Sequence, residues 1–380
     1  MPLAAKIGKV PVGCQYLAVA AVALVCYVQT AWYDFVYDDA LQIVLNPRIR
    51  SFSNVGAAFT ENFWGFISPH SISNYFRPLQ TIIYMIAYAL GGLWPAPYHW
   101  INIVMHVFAS LAVLWLGLLL LSDLKASIWG AFLFAAHPMH TENVAWIAGI
   151  TDIGCGLFFF LSLGAYIRAR RKNSPSAMWL SCSLVAFLIA LLFKEMAFTL
   201  PVVAVLLDYL ILEESTETSS ALLRRWLPVF GVFAFYSVLR MNALGVFAHR
   251  MVHIPIGAGD RFLTTIYFVG RYLQDLIAPF RHNAYHVFRP FSELAATEWI
   301  FPILLLALGG AVTWKLLNTN RKLCFLALWV AVTIVPVLNL EGVGQNTYAE
   351  RYLYIPSLGF CLLLSALIER FGRQIPYHGG

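Results

Sequence analysis

Residues 12–33 read "VGCQYLAVAAVALVCYVQTAWY", a run that contains no charged side chain. About 20 apolar residues are needed for an α-helix to cross the hydrocarbon core of a bilayer, where every backbone polar group must find its partner inside the segment. The stretch therefore predicts a first membrane-spanning helix. Lys6 and Lys9 precede it, and the positive-inside rule places its start in the cytoplasm.

The rest of the chain has the same character. It has 380 residues, of which 60% are hydrophobic and 12% charged, whereas a soluble domain carries about 25% charged residues. The net charge is +6, but the basic residues are scattered among apolar segments, which argues against nucleic acid as a partner. Membrane lipids and anionic substrates are the expected partners.

Twelve apolar runs predict an all-α, polytopic membrane bundle of 10–12 transmembrane helices. Two of them are doubtful spans: 77–94 is short and carries Arg77 and Pro78 at its start, and 262–280 contains Arg271 and Asp275. If neither crosses, the short basic loops at 168–172, 315–322 and 369–373 all lie in the cytoplasm. We expect ten full spans and two helices beside or re-entering the membrane. The runs are 12–33, 77–94, 99–121, 125–137, 151–167, 177–193, 197–212, 226–243, 262–280, 299–316, 322–339 and 352–369.

Two adjacent acids, Asp38 and Asp39, lie in "VYDDALQIVLNP" (36–47), where the first helix leaves the bilayer. One carboxylate beside another resists ionisation, and its pKa is raised, which suits a general base. The alternative is a solvated helix end. Ionisable groups at the membrane are expensive unless they face water, a partner or a cavity, so the pair is a candidate catalytic site.

Four further groups of polar residues fall on the same side of the predicted bundle. In "HPMHTENVAW" (137–146) they are His137, His140 and Glu142, which resemble a zinc motif only weakly. The others are Arg77 in "NYFRPLQ", Lys194 and Glu195 in "FKEMAFTLP", and Glu350 and Arg351 in "NTYAERYLYIPS".

Each group also has a structural interpretation, such as a helix cap, a turn or an aromatic belt. Their convergence on one face favours a site for a lipid-borne anion. Arginine binds phosphate in a bidentate way, a carboxylate can remove a proton, and an apolar bundle admits a lipid chain. Transfer of a sugar from a polyprenyl phosphate requires this set of groups.

These motifs resemble the membrane glycosyltransferases of the GT-C class, and above all the transmembrane-and-tetratricopeptide-repeat protein O-mannosyltransferases and their bacterial relatives. "HPMHTENVAW" and "AERYLYIPS" are the most specific matches, and "FVYDDALQIVLNP" and "FKEMAFTLP" support them. The resemblance implies one GT-C-like transmembrane domain over residues 1–380. Its parts would be a first span at 12–33, a first outer catalytic loop with juxtamembrane helices at 34–76, the remaining bundle at 77–370 and a tail at 371–380.

The resemblance also implies roles for the candidate residues. Asp38 or Asp39 would be the catalytic base of an inverting transfer, and the donor would be a polyprenyl-phosphate monosaccharide, with mannose or another hexose as the sugar. The residues expected to bind substrate are Arg77, His137, His140, Glu142, Lys194, Glu195, Glu350 and Arg351. The residues identify no particular cofactor, and participation of a divalent metal stays open.

Members of this family usually continue into a helical repeat array, and no such array follows here. The acceptor hydroxyl could therefore belong to a protein, a glycan or a lipid. The missing array and the absence of an Asn-x-Ser/Thr site favour the bacterial inner membrane with a periplasmic active site over the endoplasmic reticulum membrane with a lumenal one.

Two other functions fit parts of the pattern. A metal-dependent membrane hydrolase would use His137, His140 and Glu142 together with the acidic pair. A transporter or flippase for lipid-linked sugars would need access from both sides and usually shows repeated halves, which the sequence lacks.

Overall fold

The structure is a computed structural model, and it describes residues 11–68, 73–171, 176–212, 219–249, 255–280, 282–283, 285–338, 340 and 346–373. Lys6, Lys9 and Lys172, which were used in the orientation argument, lie outside the described residues. The tail after Arg373 lies outside them as well.

Within these residues the backbone forms fourteen α-helices, and each apolar run of the sequence coincides with a helical segment. The helices are α1 Val12–Tyr27, α2 Val55–Thr60, α3 Pro78–Gly91, α4 Ala96–Leu121, α5 Leu124–Ala135, α6 Thr141–Ala145, α7 Ile150–Ala169, α8 Ser176–Phe193, α9 Leu200–Leu207, α10 Ser219–Leu244, α11 Ala258–Ile277, α12 Ala296–Thr319, α13 Arg321–Ile334 and α14 Tyr354–Gly372.

Nine helical segments of the described chain are long and apolar enough to cross a membrane. The protein is therefore a multi-pass integral membrane protein with an all-α fold. The nine are Gly13–Trp32, Ala96–Leu121, Ile147–Ala169, Ser176–Phe193, Glu195–Leu212, Arg225–Leu244, Ala296–Thr319, Arg321–Leu338 and Glu350–Gly372.

The runs at 77–94 and 262–280, which were expected not to cross, fold as α3 and α11, and neither belongs to the nine segments. The run at 125–137, which was expected to cross, folds as α5. This helix has 12 residues and a length of about 18 Å, less than a hydrocarbon core of about 30 Å, and it leads from the turn after α4 to the short segments before α7. Asp123 caps its start, and a turn at His137 and Pro138 follows its end.

Helix α7 lies at the centre of the bundle. Its span is 89% buried, whereas that of α12 is only 11% buried, so the flank formed by α12 is left to face lipid. Small residues allow close helix contacts. A Cβ at Gly130 of α5 would come within 2.6 Å of Leu362 on α14, and one at Gly154 of α7 within 2.6 Å of Phe193.

The bundle has two polar ends. The cavity end is formed by the end of α1, the starts of α3, α7 and α14, and the ends of α8 and α10. At this end the segment 34–76 folds into short helical turns and α2. The basic end holds the turn between α4 and α5, the start of α13 and the end of α14. Because helices run between the two ends, candidate residues that are far apart in the sequence come together at the cavity end.

Candidate active site

A cavity of about 640 Å³ lies at the cavity end. It brings together residues from the first loop, from the starts of α3, α7 and α14, from the turns after α8 and α13 and from the end of α10. Five residues expected to take part in binding or catalysis line it, and two additional charged residues join them. The charged lining residues are Asp38, Arg77, Asp152, Lys194, Glu195, Arg240 and Arg351.

Asp38 is the member of the acidic pair that lines the cavity. It is half-buried, and its Oδ2 accepts a hydrogen bond of 3.4 Å from Nε2 of Gln42. Burial raises the pKa of Asp38, while the charge of Arg351 and the hydrogen bond from Gln42 act to lower it. A carboxylate with this exposure can accept a proton from a molecule in the cavity.

Asp39 points away from the cavity and is fully buried. Its Oδ2 accepts a hydrogen bond of 3.0 Å from the backbone N–H of Val36, which closes the turn that carries Asp38. Burial raises the pKa of Asp39 to about 7, although the Val36 N–H acts to lower it. The sequence left open which acid is the base, and this geometry separates the two.

Arg77 and Glu195 form a bidentate ion pair in the cavity wall. Nη2 of Arg77 lies 2.9 Å from Oε1 of Glu195, and Nη1 contacts Oε2. Arg77 precedes Pro78, the first residue of α3, and proline is favoured at this helix position. The pair joins the start of α3 to the turn after α8, so both predicted residues reach the cavity together.

Lys194 pairs with Asp152, which lies in the first turn of α7. The Nζ–Oδ1 distance is 2.6 Å, and Nζ lies 5.0 Å from the centroid of the Tyr352 ring. The short polar turn between α8 and α9 thus has a buried partner for its cation, which resolves the cost of a charge placed between two apolar helices.

Arg351 is held on three sides. Glu142 accepts hydrogen bonds from Nη1 and from the backbone N–H of Arg351, the latter at 2.8 Å. The guanidinium carbon lies 5.3 Å from the Trp146 ring and 5.0 Å from the Tyr352 ring. Glu142 does not line the cavity, so it acts through Arg351. The planar group is therefore fixed in orientation beside Asp38.

Asp152 and Arg240 are cavity residues that the sequence analysis did not select. Arg240 is buried and donates to the carbonyl oxygens of Phe247 and Asn74, at 2.8 and 2.9 Å, and to the Tyr236 hydroxyl at 3.4 Å. These partners are uncharged, so its positive charge is not neutralised by them. Each of them has a sequence feature that could have identified it. Asp152 is a charged residue in the first turn of a long apolar helix, and Arg240 is a charged residue four positions before the end of α10.

His137 and His140 lie outside the cavity lining, which corrects the expectation that both line it. Nε2 of His140 is 2.8 Å from Oγ of Ser357, and its ring packs 4.7 Å from that of Tyr354. Nε2 of His137 is 3.2 Å from the carbonyl oxygen of Leu276. Burial lowers the pKa of His137 to about 4 and that of His140 well below its usual value. These neutral rings fix the 137–146 segment against α11 and α14.

Glu350 also faces away from the cavity. Its carboxylate lies 2.8 Å from Nδ1 of His282 and 3.3 Å from Nε2 of His286, and it accepts the Asn283 N–H at 2.8 Å. Glu350 and Arg351 are consecutive residues of a helical turn, and consecutive side chains leave such a turn in different directions. Glu350 holds the segment before α12, and Arg351 enters the cavity.

The metal site drawn from the two histidines, Glu142 and the acidic pair is not assembled. Among the residues that the structure describes, His, Cys, Asp and Glu side chains form no group of three or more suited to hold a metal ion. The histidine rings are turned toward Ser357 and Leu276 instead.

The chain is 27% identical to the human protein O-mannosyl-transferase TMTC4 over 403 residues, which cover 92% of this chain and 54% of that protein. Human TMTC2, also named a protein O-mannosyl-transferase, is 34% identical over 196 residues, which cover 50% of this chain and 23% of TMTC2. This chain is a distant homologue of these O-mannosyltransferases. The Caenorhabditis elegans protein O-mannosyl-transferase F38B6.6 is 26% identical over 369 residues and 93% of this chain. No protein-family model matches the chain.

The similarity to the TMTC proteins confirms the resemblance seen in the motifs. The chain spans about half the length of the human TMTC4 and nematode proteins that it matches. Among solved structures it is similar to ArnT from Cupriavidus metallidurans bound to undecaprenyl phosphate, with a TM-score of 0.52 and 14% identity over 94% of this chain and 61% of ArnT. The predicted GT-C type of fold is confirmed by this likeness.

Proposed function

We propose that the protein is a glycosyltransferase that moves a monosaccharide from a polyprenyl phosphate to an acceptor hydroxyl. The observation that carries the proposal is a cavity that Asp38 and the fixed guanidinium of Arg351 line together, with Arg77, Lys194 and Arg240 in the same wall. A base and several cations are the groups that this reaction needs.

The relatives support the class of reaction. The TMTC proteins are named O-mannosyl-transferases, and the ArnT structure holds undecaprenyl phosphate. Mannose is therefore the first sugar to test, and a long polyprenyl phosphate is the first carrier. A serine or threonine hydroxyl on a protein is the first acceptor.

In the proposed mechanism the acceptor hydroxyl gives its proton to the Asp38 carboxylate while its oxygen forms a bond to the anomeric carbon. The bond from that carbon to the phosphate oxygen breaks on the opposite face, and the electron pair leaves with the phosphate. The product is a glycoside of inverted configuration and a free polyprenyl phosphate. Arg351 stabilises the charge that develops on the phosphate.

The ion pairs of the wall serve this mechanism by fixing the cations before the substrate arrives. Arg77, Lys194 and Arg351 each contact a carboxylate, so their orientation does not have to be paid for in side-chain entropy during the reaction. Arg240 adds a further positive charge to the wall, held in place by the carbonyl oxygens of Phe247 and Asn74.

The orientation proposed from the sequence has the cavity on the non-cytoplasmic side. The opposite end carries Arg168, Arg171, Lys322, Arg370 and Arg373, and the positive-inside rule places such an end in the cytoplasm. We keep the bacterial periplasm as the proposed compartment and the lumen of the endoplasmic reticulum as its alternative.

A flippase of lipid-linked sugars would need a path that opens to both sides. The cavity end and the basic end have separate cavities that share no lining residue, which favours the transferase.

The test uses purified protein in nanodiscs with radiolabelled polyprenyl-phosphate mannose, glucose and aminoarabinose, each offered with peptide, glycan and lipid hydroxyls. We expect label to move from one lipid donor to one class of acceptor, and not in the Asp38→Asn variant. Use of a nucleotide sugar in place of every lipid donor would overturn the proposal, as would equal transfer by the variant.

A further inference from the structure

A second cavity, of about 340 Å³, lies at the basic end, away from the proposed active site. Small-molecule sites range from about 300 to 1,000 Å³, so the cavity can hold a compact head group. It is formed where α4 turns into α5, where α13 begins and where α14 ends. Its lining residues are Leu121, Asp123, Ala126, Asn320, Lys322, Leu323, Ala366, Glu369, Arg370 and Arg373.

The rim of this cavity carries three cations and two carboxylates. Asp123 is already occupied, because Oδ1 accepts the backbone N–H groups of Lys125 and Ala126 at 3.0 and 3.2 Å and Oδ2 pairs with Arg373. Among the described residues, Lys322 and Arg370 form no ion pair within 4 Å. These two side chains are the groups available to an incoming anion.

The floor of the cavity is apolar, since Leu121, Ala126, Leu323 and Ala366 form it. The site lies at the ends of helices long enough to cross the membrane, because α4 ends at Leu121, Asn320 caps the start of α13 and α14 ends at Gly372. A cationic rim above an apolar floor, at the membrane end of the helices, suits an anion that carries hydrocarbon chains.

We propose that the cavity at the basic end binds the phosphate head group of an anionic membrane phospholipid. Lys322 and Arg370 contact the phosphate, and Arg373, which is paired with Asp123, adds positive charge beside it. The acyl chains leave from the apolar floor formed by Leu121, Ala126, Leu323 and Ala366. Basic pockets between transmembrane helices bind such head groups. This site does not depend on the proposed sugar transfer, because it shares no residue with the other cavity.

The test is lipid binding to the full chain, purified in detergent and measured by native mass spectrometry and thermal shift. The probes are dioleoyl phosphatidylglycerol, dioleoyl phosphatidylcholine and inorganic phosphate. We expect phosphatidylglycerol alone to bind as a discrete lipid and to raise the melting temperature, since a ligand of the folded state stabilises it.

The decisive variant is Lys322→Gln with Arg370→Gln, which changes two exposed or half-buried side chains. We expect its affinity for phosphatidylglycerol to fall about 25-fold, because each basic group at an anionic lipid surface contributes about fivefold. Lys322→Arg with Arg370→Lys keeps both charges and should retain binding. Lys315→Gln is the matched control, since Lys315 is exposed at the end of α12 and does not line the cavity.

Three results would overturn the assignment. One is equal binding of phosphatidylcholine, and another is unchanged affinity in the double glutamine variant. The third is stabilisation by inorganic phosphate as large as that by phosphatidylglycerol, which would identify a soluble phosphate as the ligand.

Discussion

The cavity wall and the layer directly behind it contain similar residues in very different settings. The wall, formed by Asp38, Arg77, Lys194, Glu195 and Arg351, reaches a space that a substrate can enter. The buried layer, formed by Asp39, His137, His140 and Glu350, is at most 6% exposed and bonded to backbone or side-chain partners.

The same short motifs supply both sets. Asp38 and Asp39 are neighbours, and so are Glu350 and Arg351, yet one member of each pair belongs to the wall and the other to the layer. Polar residues in an apolar bundle thus serve two purposes. In the proposed mechanism those in the wall perform the chemistry, and those in the layer hold the wall in place through hydrogen bonds to backbone and side-chain partners.

The acidic pair offers the largest expected difference between the two regions. Asp38→Asn should lower the rate of transfer about 10²- to 10⁴-fold, which is the usual contribution of a general base. Asp39→Asn keeps an acceptor for the Val36 N–H and should lower it less than about tenfold. Single-turnover transfer from a labelled lipid donor measures both. If only Asp39→Asn lost transfer, Asp39 would be the general base and Asp38 the structural residue.

Arg351→Lys tests whether the fixed guanidinium contacts the phosphate. We expect catalytic efficiency with the lipid donor to fall about 10- to 100-fold, as for the loss of a hydrogen bond to a charged group, because lysine cannot form the planar bidentate contact. The acceptor KM should change little. Lys315→Gln, at the other end, is the control for general effects of basic residues. An equal loss of catalytic efficiency for the donor and for the acceptor would mean that Arg351 does not contact the phosphate.

His140→Phe examines the buried layer without opening the wall. The ring space is kept, but Ser357 loses its contact with Nε2, and we expect the folded state to lose about 1 kcal/mol. Transfer per folded molecule should stay within about twofold of the original. Thermal unfolding and activity are measured on the same preparation. Lost turnover at unchanged stability would mean that His140 takes part in the chemistry.

The last comparison concerns Asp39 and the dependence of stability on pH. Its pKa in the folded protein is about 7 because of burial, whereas an unfolded aspartate has a pKa of about 3.9. The folded state therefore holds the proton more tightly. This stabilisation is complete below about pH 4 and is lost as the pH rises through about 7.

The melting temperature of Asp39→Asn should therefore rise relative to that of the unmodified protein between pH 5 and pH 8. If the melting temperatures of the two proteins change with pH by the same amount over that range, the Asp39 carboxyl does not titrate there.

The sequence predicted the membrane class, the position of every apolar helix and the two helices that were expected not to cross. It also selected five of the charged residues that line the cavity. It missed the shortness of α5, because an apolar run does not show where caps and turns interrupt a helix. It missed Arg240 because helix-end arginines also occur without function.

The sequence by itself determined that this chain lies in a membrane as a helical bundle, because apolar length and the need to satisfy backbone hydrogen bonds leave no other fold. It also determined that acids, histidines and arginines gather near one end. Only the tertiary structure decided which of them face the cavity. Side-chain direction depends on how each short turn packs, and a change of one residue along such a turn moves a charge from the cavity into the protein interior.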